Sequence, residues 1–193
     1  MNLKRNGKGK EYYDNVELIY EGEYLNGKRW NGKGKEYYDN GKLKFEGEYL
    51  NGERNGKGKE YFDDGELEFE GEYLNGERNG KGKEYNGNGK LEFEGEYFNG
   101  KRNRKGKEYN DNGEMKFDGE YLNGKRNGKG KEYNDNGELK FEGEYSNGKR
   151  WKGEGKEHNY FGNLEFEGQY LYGQRWTGKE NEYYYNGRLK LSG

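Results

Sequence analysis

The sequence predicts an all-β protein: an elongated, twisted antiparallel sheet of tandem β-hairpins, one hairpin per repeat of about 24 residues. Three observations carry that prediction. The run aromatic-acid-Gly-acid-Tyr opens at Tyr20 and again at Phe45, Phe69, Phe93, Phe117, Phe141 and Phe166. A second run, Arg-Asn-Gly-Lys-Gly-Lys-Glu-Tyr, alternates with it, intact at 5–12, 54–61, 78–85 and 126–133. Asn-Gly or Asp-Gly pairs punctuate both runs, and these are the strongest short hairpin signals because positive φ is easily reached there.

The acidic run comes first. In Leu43-Lys44-Phe45-Glu46-Gly47-Glu48-Tyr49, apolar or small residues alternate with charged ones, the period of a strand with one dry face. The Asn-Gly-Lys/Glu-Arg segment that follows reads as the longer loop of the two. Spacing grows from 24 to 25 residues at two places, and the extra residue aligns as Trp30 and Trp151, each directly after Arg, with Trp176 in the same place. Loops tolerate insertions that strand interiors do not. The Asp-Gly or Asn-Gly before the next acidic run then reads as a tight two-residue turn.

Treating 51–54 as a four-residue loop and Asp64-Gly65 as a two-residue turn fixes the pairing. Glu48 faces Lys57, which faces Glu72; Glu46 faces Lys59, which faces Glu70. Rows of alternating charge therefore cross one face, each direct pair stabilising by roughly 0.2–1 kcal/mol. On the other face lie Gly47, Gly58 and Gly71, flanked by Tyr49, Gly56 and Tyr73 and by Leu43, Phe62 and Leu67. One position resists: strict alternation leaves Glu60 among the aromatics and turns Tyr61 toward the lysines. A β-bulge near Lys59-Glu60 is expected to exchange them. The glycine rows are expected to let rings lie flat across the backbone and the sheet curve.

Composition narrows the function classes. Hydrophobic residues are only 26% and charged residues 38%, which would suit a disordered chain were it not for 21 Tyr, 9 Phe and 3 Trp at fixed places in the repeat. The net charge of −2 gives no global field for nucleic acid or an anionic membrane. The absence of cysteine removes disulfides, thiol catalysis and thiolate metal sites. Met1-Asn2-Leu3-Lys4-Arg5 has no apolar run behind it, so no signal peptide is read and the expected location is cytoplasmic.

The alternation of Phe-Glu-Gly-Glu-Tyr-Leu-Asn-Gly-Lys-Arg with Asn-Gly-Lys-Gly-Lys-Glu-Tyr resembles MORN repeats (membrane occupation and recognition nexus). Gly41 to Tyr49 is nearest the variant common in bacterial and protist proteins. The resemblance covers residues 1–193 as a single array, about seven full repeats with partial ends. It implies one hairpin per repeat and a family of scaffolds, dimerising modules, membrane-proximal proteins and non-catalytic extensions of enzymes. Departures from the pattern are Val16 at a turn Gly, Arg104 at the first Gly of its pair, Tyr172-Gly173 for Asn-Gly and His158 for Tyr. Thr177-Gly178-Lys179-Glu180-Asn181 loses the second Gly, as suits a terminal cap.

No catalytic constellation is read. His158 is the only histidine and stands where other repeats have Tyr; Ser146 and Ser192 are without a histidine partner in the sequence. The turn Asp63-Asp64-Gly65 lacks the further ligands of a calcium loop, and Gly-Lys-Gly-Lys lacks the spacing of a phosphate loop. No enzyme activity, cofactor or metal is expected. The expected function is a non-catalytic scaffold for protein–protein interaction or assembly, with an anionic-phospholipid surface as alternative and a cell-wall or carbohydrate-binding hairpin repeat as second alternative. Nucleic acid is disfavoured because glutamate rows neutralise the lysines. The candidate interaction residues are Arg29-Trp30, Arg150-Trp151 and Arg175-Trp176, a pairing that suits an interface hot spot or a headgroup anchor. Self-association through a terminal sheet edge, involving Tyr183-Tyr184-Tyr185 and Trp176, is also expected.

Overall fold

The computed structural model describes residues 5–13, 17–159, 162–184 and 188–193; Val16 and Tyr185 lie outside them. The chain divides into two compact units, residues 1–101 and 102–193. In the first, β1 (Gly7–Tyr13), β2 (Glu17–Leu25), β3 (Lys28–Arg29), β4 (Gly32–Tyr37), β5 (Leu43–Leu50), β6 (Glu53–Tyr61), β7 (Leu67–Leu74), β8 (Glu77–Tyr85) and β9 (Leu91–Phe98) form an antiparallel sheet. In the second, β10 (Lys101–Tyr109), β11 (Met115–Leu122), β12 (Lys125–Tyr133), β13 (Leu139–Ser146), β14 (Lys149–His158), β15 (Leu164–Leu171), β16 (Gln174–Tyr183) and β17 (Leu189–Ser192) do the same. Within each unit consecutive strands pair as hairpins in tandem require, save that β3 and β4, the two pieces of one interrupted strand, both pair with β2.

The charge rows fall in the expected register except between Glu48 and Lys57, which are not paired across β5 and β6. Glu46 faces Lys59, Lys59 faces Glu70, Lys57 faces Glu72 and Gly47 faces Gly58. The devices that set this register differ from the expected ones. Leu50 pairs with Glu53, so the turn is only Asn51-Gly52. Both residues have positive φ, 54° and 87°, as a type I′ turn demands. The two residues assigned to the loop, Glu53 and Arg54, belong to β6. The length is recovered by a bulge: Tyr49 pairs with Arg54 and Gly47 with Gly58, which sets Asn55, Gly56 and Lys57 against the single residue Glu48. The Glu48 carboxylate accepts the Lys57 N–H across this bulge at 3.3 Å.

The other connection is the longer one. Phe62 N–H donates to Glu66 C=O at 2.8 Å and Gly65 N–H to Phe62 C=O at 3.0 Å, enclosing three residues with Gly65 at φ 99°. This is the three-residue hairpin in which a turn is closed by a left-handed glycine. Tyr61 then pairs with Leu67, not Phe62 with Leu67, and Glu68 is the residue left over. The irregularity sits at Glu60/Tyr61, as expected, but it does not exchange them. Glu60 still faces Phe45, and the Tyr61 hydroxyl donates to Glu46 at 2.9 Å on the charged face.

The core is one-sided. Phe45, Phe69, Phe93, Phe117 and Phe141 are fully buried, with Tyr49, Tyr73, Tyr97, Tyr121 and Tyr145 nearly so. Within each unit the rings meet edge to face in a continuous column. Phe45 touches Tyr49 and Tyr73 at 5.7 and 5.2 Å between centroids, and Phe117 touches Tyr121 and Tyr145 at 5.5 and 5.0 Å. Such pairs are worth about 0.5–1.5 kcal/mol each beyond area burial, which is how so few apolar residues hold a sheet. The glycine row makes room for them. A Cβ on Gly58 would sit 2.5 Å from the Phe45 ring, and one on Gly47 2.6 Å from it.

The tryptophan insertions are absorbed in two ways. At Trp30 the strand breaks into β3 and β4, and Tyr20 still pairs with Glu36, as Phe45 does with Glu60. At Trp151 and Trp176 the hairpin slips by two residues: Phe141 pairs with Gly155 and Phe166 with Glu180. A two-residue slip keeps every side chain on its own face. It also sets Glu142 opposite Glu154, a like-charge pair.

Candidate binding surface

An arginine recurs two positions after the glycine of the two-residue turn, and the turn places it on a strand. Arg54 pairs with Tyr49 in register, so its side chain extends over the aromatic column, with the guanidinium 4.1 Å from the Phe45 ring centre. There it meets the glutamate that strict alternation leaves among the aromatics. Arg54 bridges Glu36 at 2.7 Å and Glu60; Arg78 bridges Glu60, Glu68 at 2.7 Å and Glu84 at 3.3 Å. In the second unit Arg126 bridges Glu108 and Glu132, and Arg150 holds Glu132 at 3.0 Å. The buried tyrosines complete the column: Tyr49 donates to Glu36 at 2.7 Å, Tyr121 to Glu108 at 2.8 Å and Tyr145 to Glu132 at 3.0 Å.

The electrostatics follow from this enclosure. Burial alone would raise the carboxyls of Glu36, Glu108 and Glu132, but hydrogen bonds and charge from Arg54, Arg126 and Arg150 outweigh it and hold them below the usual carboxylate range. Burial pushes the Tyr20 phenol up to about 12. Burial, then the hydrogen bonds to Glu46 and Glu70, brings Tyr61 and Tyr85 to about 12 as well. Glu36, Glu108 and Glu132 are each tied to an arginine and a tyrosine of the same column. Their charge is held by the ion pairs and hydrogen bonds of the fold itself.

Of the six candidate interaction residues, the three arginines point into this column. Arg29 lies 4.3 Å over Tyr20 and 3.1 Å from Glu11; Arg150 lies 4.9 Å over Phe141; Arg175 lies 4.9 Å over Phe166 and pairs with Glu157 at 2.5 Å. The three tryptophans differ. Trp30 is half-buried and donates its backbone N–H to Glu23 C=O at 2.8 Å, whereas Trp151 is 41% and Trp176 67% exposed. Both exposed tryptophans are bulge residues, each lying unpaired between an arginine and the next paired position.

A residue that sequence reasoning noted only as a departure joins them. Tyr172 occupies the first turn position, where Asn26, Asn51, Asn75, Asn99, Asn123 and Asn147 stand in the other repeats, and it has the same left-handed φ, 54°. Its ring is 67% exposed and packs against Trp151 at 4.7 Å. Gly173 N–H donates to Trp151 C=O at 3.1 Å, which seats this turn on the preceding bulge.

Outside the column, the exposed face of each unit carries the charge rows. Lys35–Glu46 at 3.4 Å, Lys59–Glu70 at 3.8 Å and Lys131–Glu142 at 3.2 Å are all about half exposed and contribute little to stability individually. His158 is exposed at the end of β14, and among the described residues no group of His, Cys, Asp and Glu could hold a metal ion.

The MORN repeat family model matches residues 4–15, 45–66, 69–91, 93–115, 117–138 and 141–151, and the model of the MORN repeat variant matches residues 30–51. No curated protein matches the chain significantly. The family matches fall on the hairpins whose aromatic, glycine and arginine–glutamate columns are described above, and together they span more than half of the sequence: this chain belongs to the MORN repeat family.

Proposed function

We propose that this chain is a non-catalytic scaffold that presents an extended surface to a protein partner. The observation that carries the reading is the closure of the arginine–glutamate–tyrosine column: Arg54 and Arg126 spend their guanidinium donors on Glu36, Glu60, Glu108 and Glu132. What remains outward is a repeated, charge-balanced face and a few exposed aromatic residues, the composition of a protein interface with a polar rim and aromatic anchors.

Cross-linked capture from the native cell, followed by reconstitution of the recovered protein with the purified chain, tests this. A saturable complex of the two purified proteins is the expected result. Co-sedimentation with vesicles of neutral and of acidic lipids runs alongside. Salt-sensitive binding to acidic vesicles alone, lost on replacing Trp30 and Trp151, with no protein complex formed, would overturn the proposal in favour of a lipid surface.

A further inference from the structure

We propose that Asn51-Gly52 is a self-modifying turn, at which the folded chain converts asparagine to isoaspartate and aspartate faster than at its other asparagine–glycine turns. The sequence supplies its own control. Leu-Asn-Gly-Glu occurs at 50–53 and again at 74–77, so the two turns share one local chemistry and only their surroundings differ. Both are two-residue turns with a left-handed asparagine, Asn51 at φ 54° and Asn75 at φ 49°.

The difference is a single hydrogen bond. Gly27, Gly76, Gly100, Gly124 and Gly148 donate their N–H groups to the C=O of Arg5, Arg54, Arg78, Arg102 and Arg126 at 2.8–2.9 Å, which seats each turn on the preceding hairpin. Among the described residues, Gly52 is the turn glycine that lacks this bond. Its counterpart acceptor is Arg29, which precedes the inserted Trp30, where the strand breaks into β3 and β4. The Arg29 C=O lies beside the Gly52 α-carbon instead, 2.8 Å from where a Cβ would stand. At the Trp151 insertion the bond survives by moving one residue on, from Gly173 to Trp151, and that turn carries Tyr172 in place of asparagine.

The remaining asparagine–glycine pairs of the described chain are held in other ways. Gly41, Gly89, Gly113 and Gly137 close their three-residue turns through their own N–H groups. In the bulges, Gly7, Gly32, Gly56, Gly80 and Gly128 each pair with a core tyrosine of the next strand. The carboxamide oxygen of Asn86, which precedes Gly87, accepts the N–H groups of Asn88 and Lys90 at 3.0 and 3.1 Å. Asn51 is exposed, and among the described residues neither its carboxamide nor the Gly52 N–H has a hydrogen-bond partner.

The reaction needs only water. The deprotonated Gly52 nitrogen attacks Asn51 Cγ, an approach that glycine leaves unhindered. The new N–Cγ bond forms as the Cγ–Nδ2 bond breaks, and Nδ2 leaves as ammonia with the proton lost from Gly52. Water then opens the cyclic imide. Addition at Cγ gives aspartate in the original main chain; addition at the Asn51 main-chain carbonyl gives isoaspartate, whose main chain runs through Cβ and Cγ. A bonded N–H must first be released by local opening, and that requirement slows the other turns. Isoaspartate lengthens the main chain inside a turn that fits two residues, so the register of β5 and β6 is expected to loosen where it forms.

The test holds the purified full chain at mildly alkaline pH and maps conversion over time by proteolytic digestion and mass spectrometry. Isoaspartate is counted by enzymatic methylation of its carboxylate. Asn51 is expected to convert about fivefold or more faster than Asn75, the effect of one hydrogen bond, and the two rates are expected to converge in the urea-unfolded chain. Deleting Trp30 restores the spacing of the other repeats and is expected to bring Asn51 to the Asn75 rate, with circular dichroism showing that the variant is folded. The comparison within the intact chain decides the matter even where that deletion perturbs the fold. Equal rates at Asn51 and Asn75 in the folded chain, a preference for Asn51 that persists on unfolding, or earlier conversion at Asn86 would overturn the proposal.

Discussion

Replacing Arg78 by alanine isolates what the arginine–glutamate column contributes. Its side chain is only 19% exposed, bridges Glu60, Glu68 and Glu84, and lies 4.3 Å over the Phe69 ring. Removing one partner of a buried ion pair typically costs about 3–5 kcal/mol, because the other charge is left behind without compensation. Partial exposure lets water reach the stranded carboxylates and lowers this, while the lost guanidinium–ring contact adds about 0.5–1 kcal/mol. A loss of about 3 kcal/mol is expected. Arg78→Lys keeps the charge but not the planar fork, and is expected to cost about 1–2 kcal/mol. Lys59→Ala removes a pair at 3.8 Å between half-exposed side chains and should cost less than about 0.5 kcal/mol. Urea denaturation reads the sum, and hydrogen exchange in β7 and β8 reads the local part, a necessary addition because tandem repeats can unfold in stages. The Arg78→Ala deficit should shrink in acid, where protonated carboxylates need no counter-charge. A deficit no larger than that of Lys59→Ala, or one indifferent to acid, would refute the reasoning.

Other consequences can be measured in the same way. Gly58→Ala puts a Cβ 2.5 Å from the Phe45 ring and is expected to destabilise by about 1–3 kcal/mol in urea. Arg104 stands at φ 57° where Gly56, Gly80 and Gly128 have φ of 86°, 84° and 90°; Arg104→Gly should stabilise by about 1 kcal/mol, seen as a raised melting temperature. The depressed carboxyls of Glu36, Glu108 and Glu132 contribute stability that is fully present above the unfolded value of about 4.3 and is lost as the pH falls through their folded values. The phenols of Tyr20, Tyr61 and Tyr85, raised to about 12, contribute stability that is lost as the pH climbs from about 10 through that value. Circular dichroism against pH, with phenolate absorbance in the alkaline arm, should therefore show unfolding at both extremes.

The charge register was legible because the side-chain period of a strand is two and the turn pairs pin its phase. A one-residue slip from the pairing of Glu46 with Lys59 would have put rings on the charged face. The turns were less legible. Asn51-Gly52 and Asp64-Gly65 both satisfy the chemistry of a tight turn, and only the φ values, positive at Asn51 but not at Asp64, tell them apart. The insertions misled because they fall in the Asn55-Gly56 bulge region, two residues inside the strand, where bulges absorb length as loops do. The arginine–glutamate column was missed for the same reason: an arginine assigned to a loop cannot cover a ring. Its signal was present, since Glu60 among aromatics required a cation and an arginine recurs six or seven residues before the equivalent glutamate in the repeats. Tyr172 was visible as a substitution, but its packing on Trp151 depends on the Gly173–Trp151 backbone bond, which no local pattern encodes.

Hydroxyl-radical footprinting of the full chain, alone and with its reconstituted protein partner, tests most directly the claim that binding belongs to the residues left outside a self-closed core. Trp151, Tyr172 and Trp176 should lose reactivity in the complex, while Phe45, Phe69, Phe117 and Phe141, already buried, should be unreactive in both states. Unchanged reactivity of the three exposed rings, together with loss of the complex on a conservative change in the column such as Arg126→Lys in a chain that remains folded, would contradict the account.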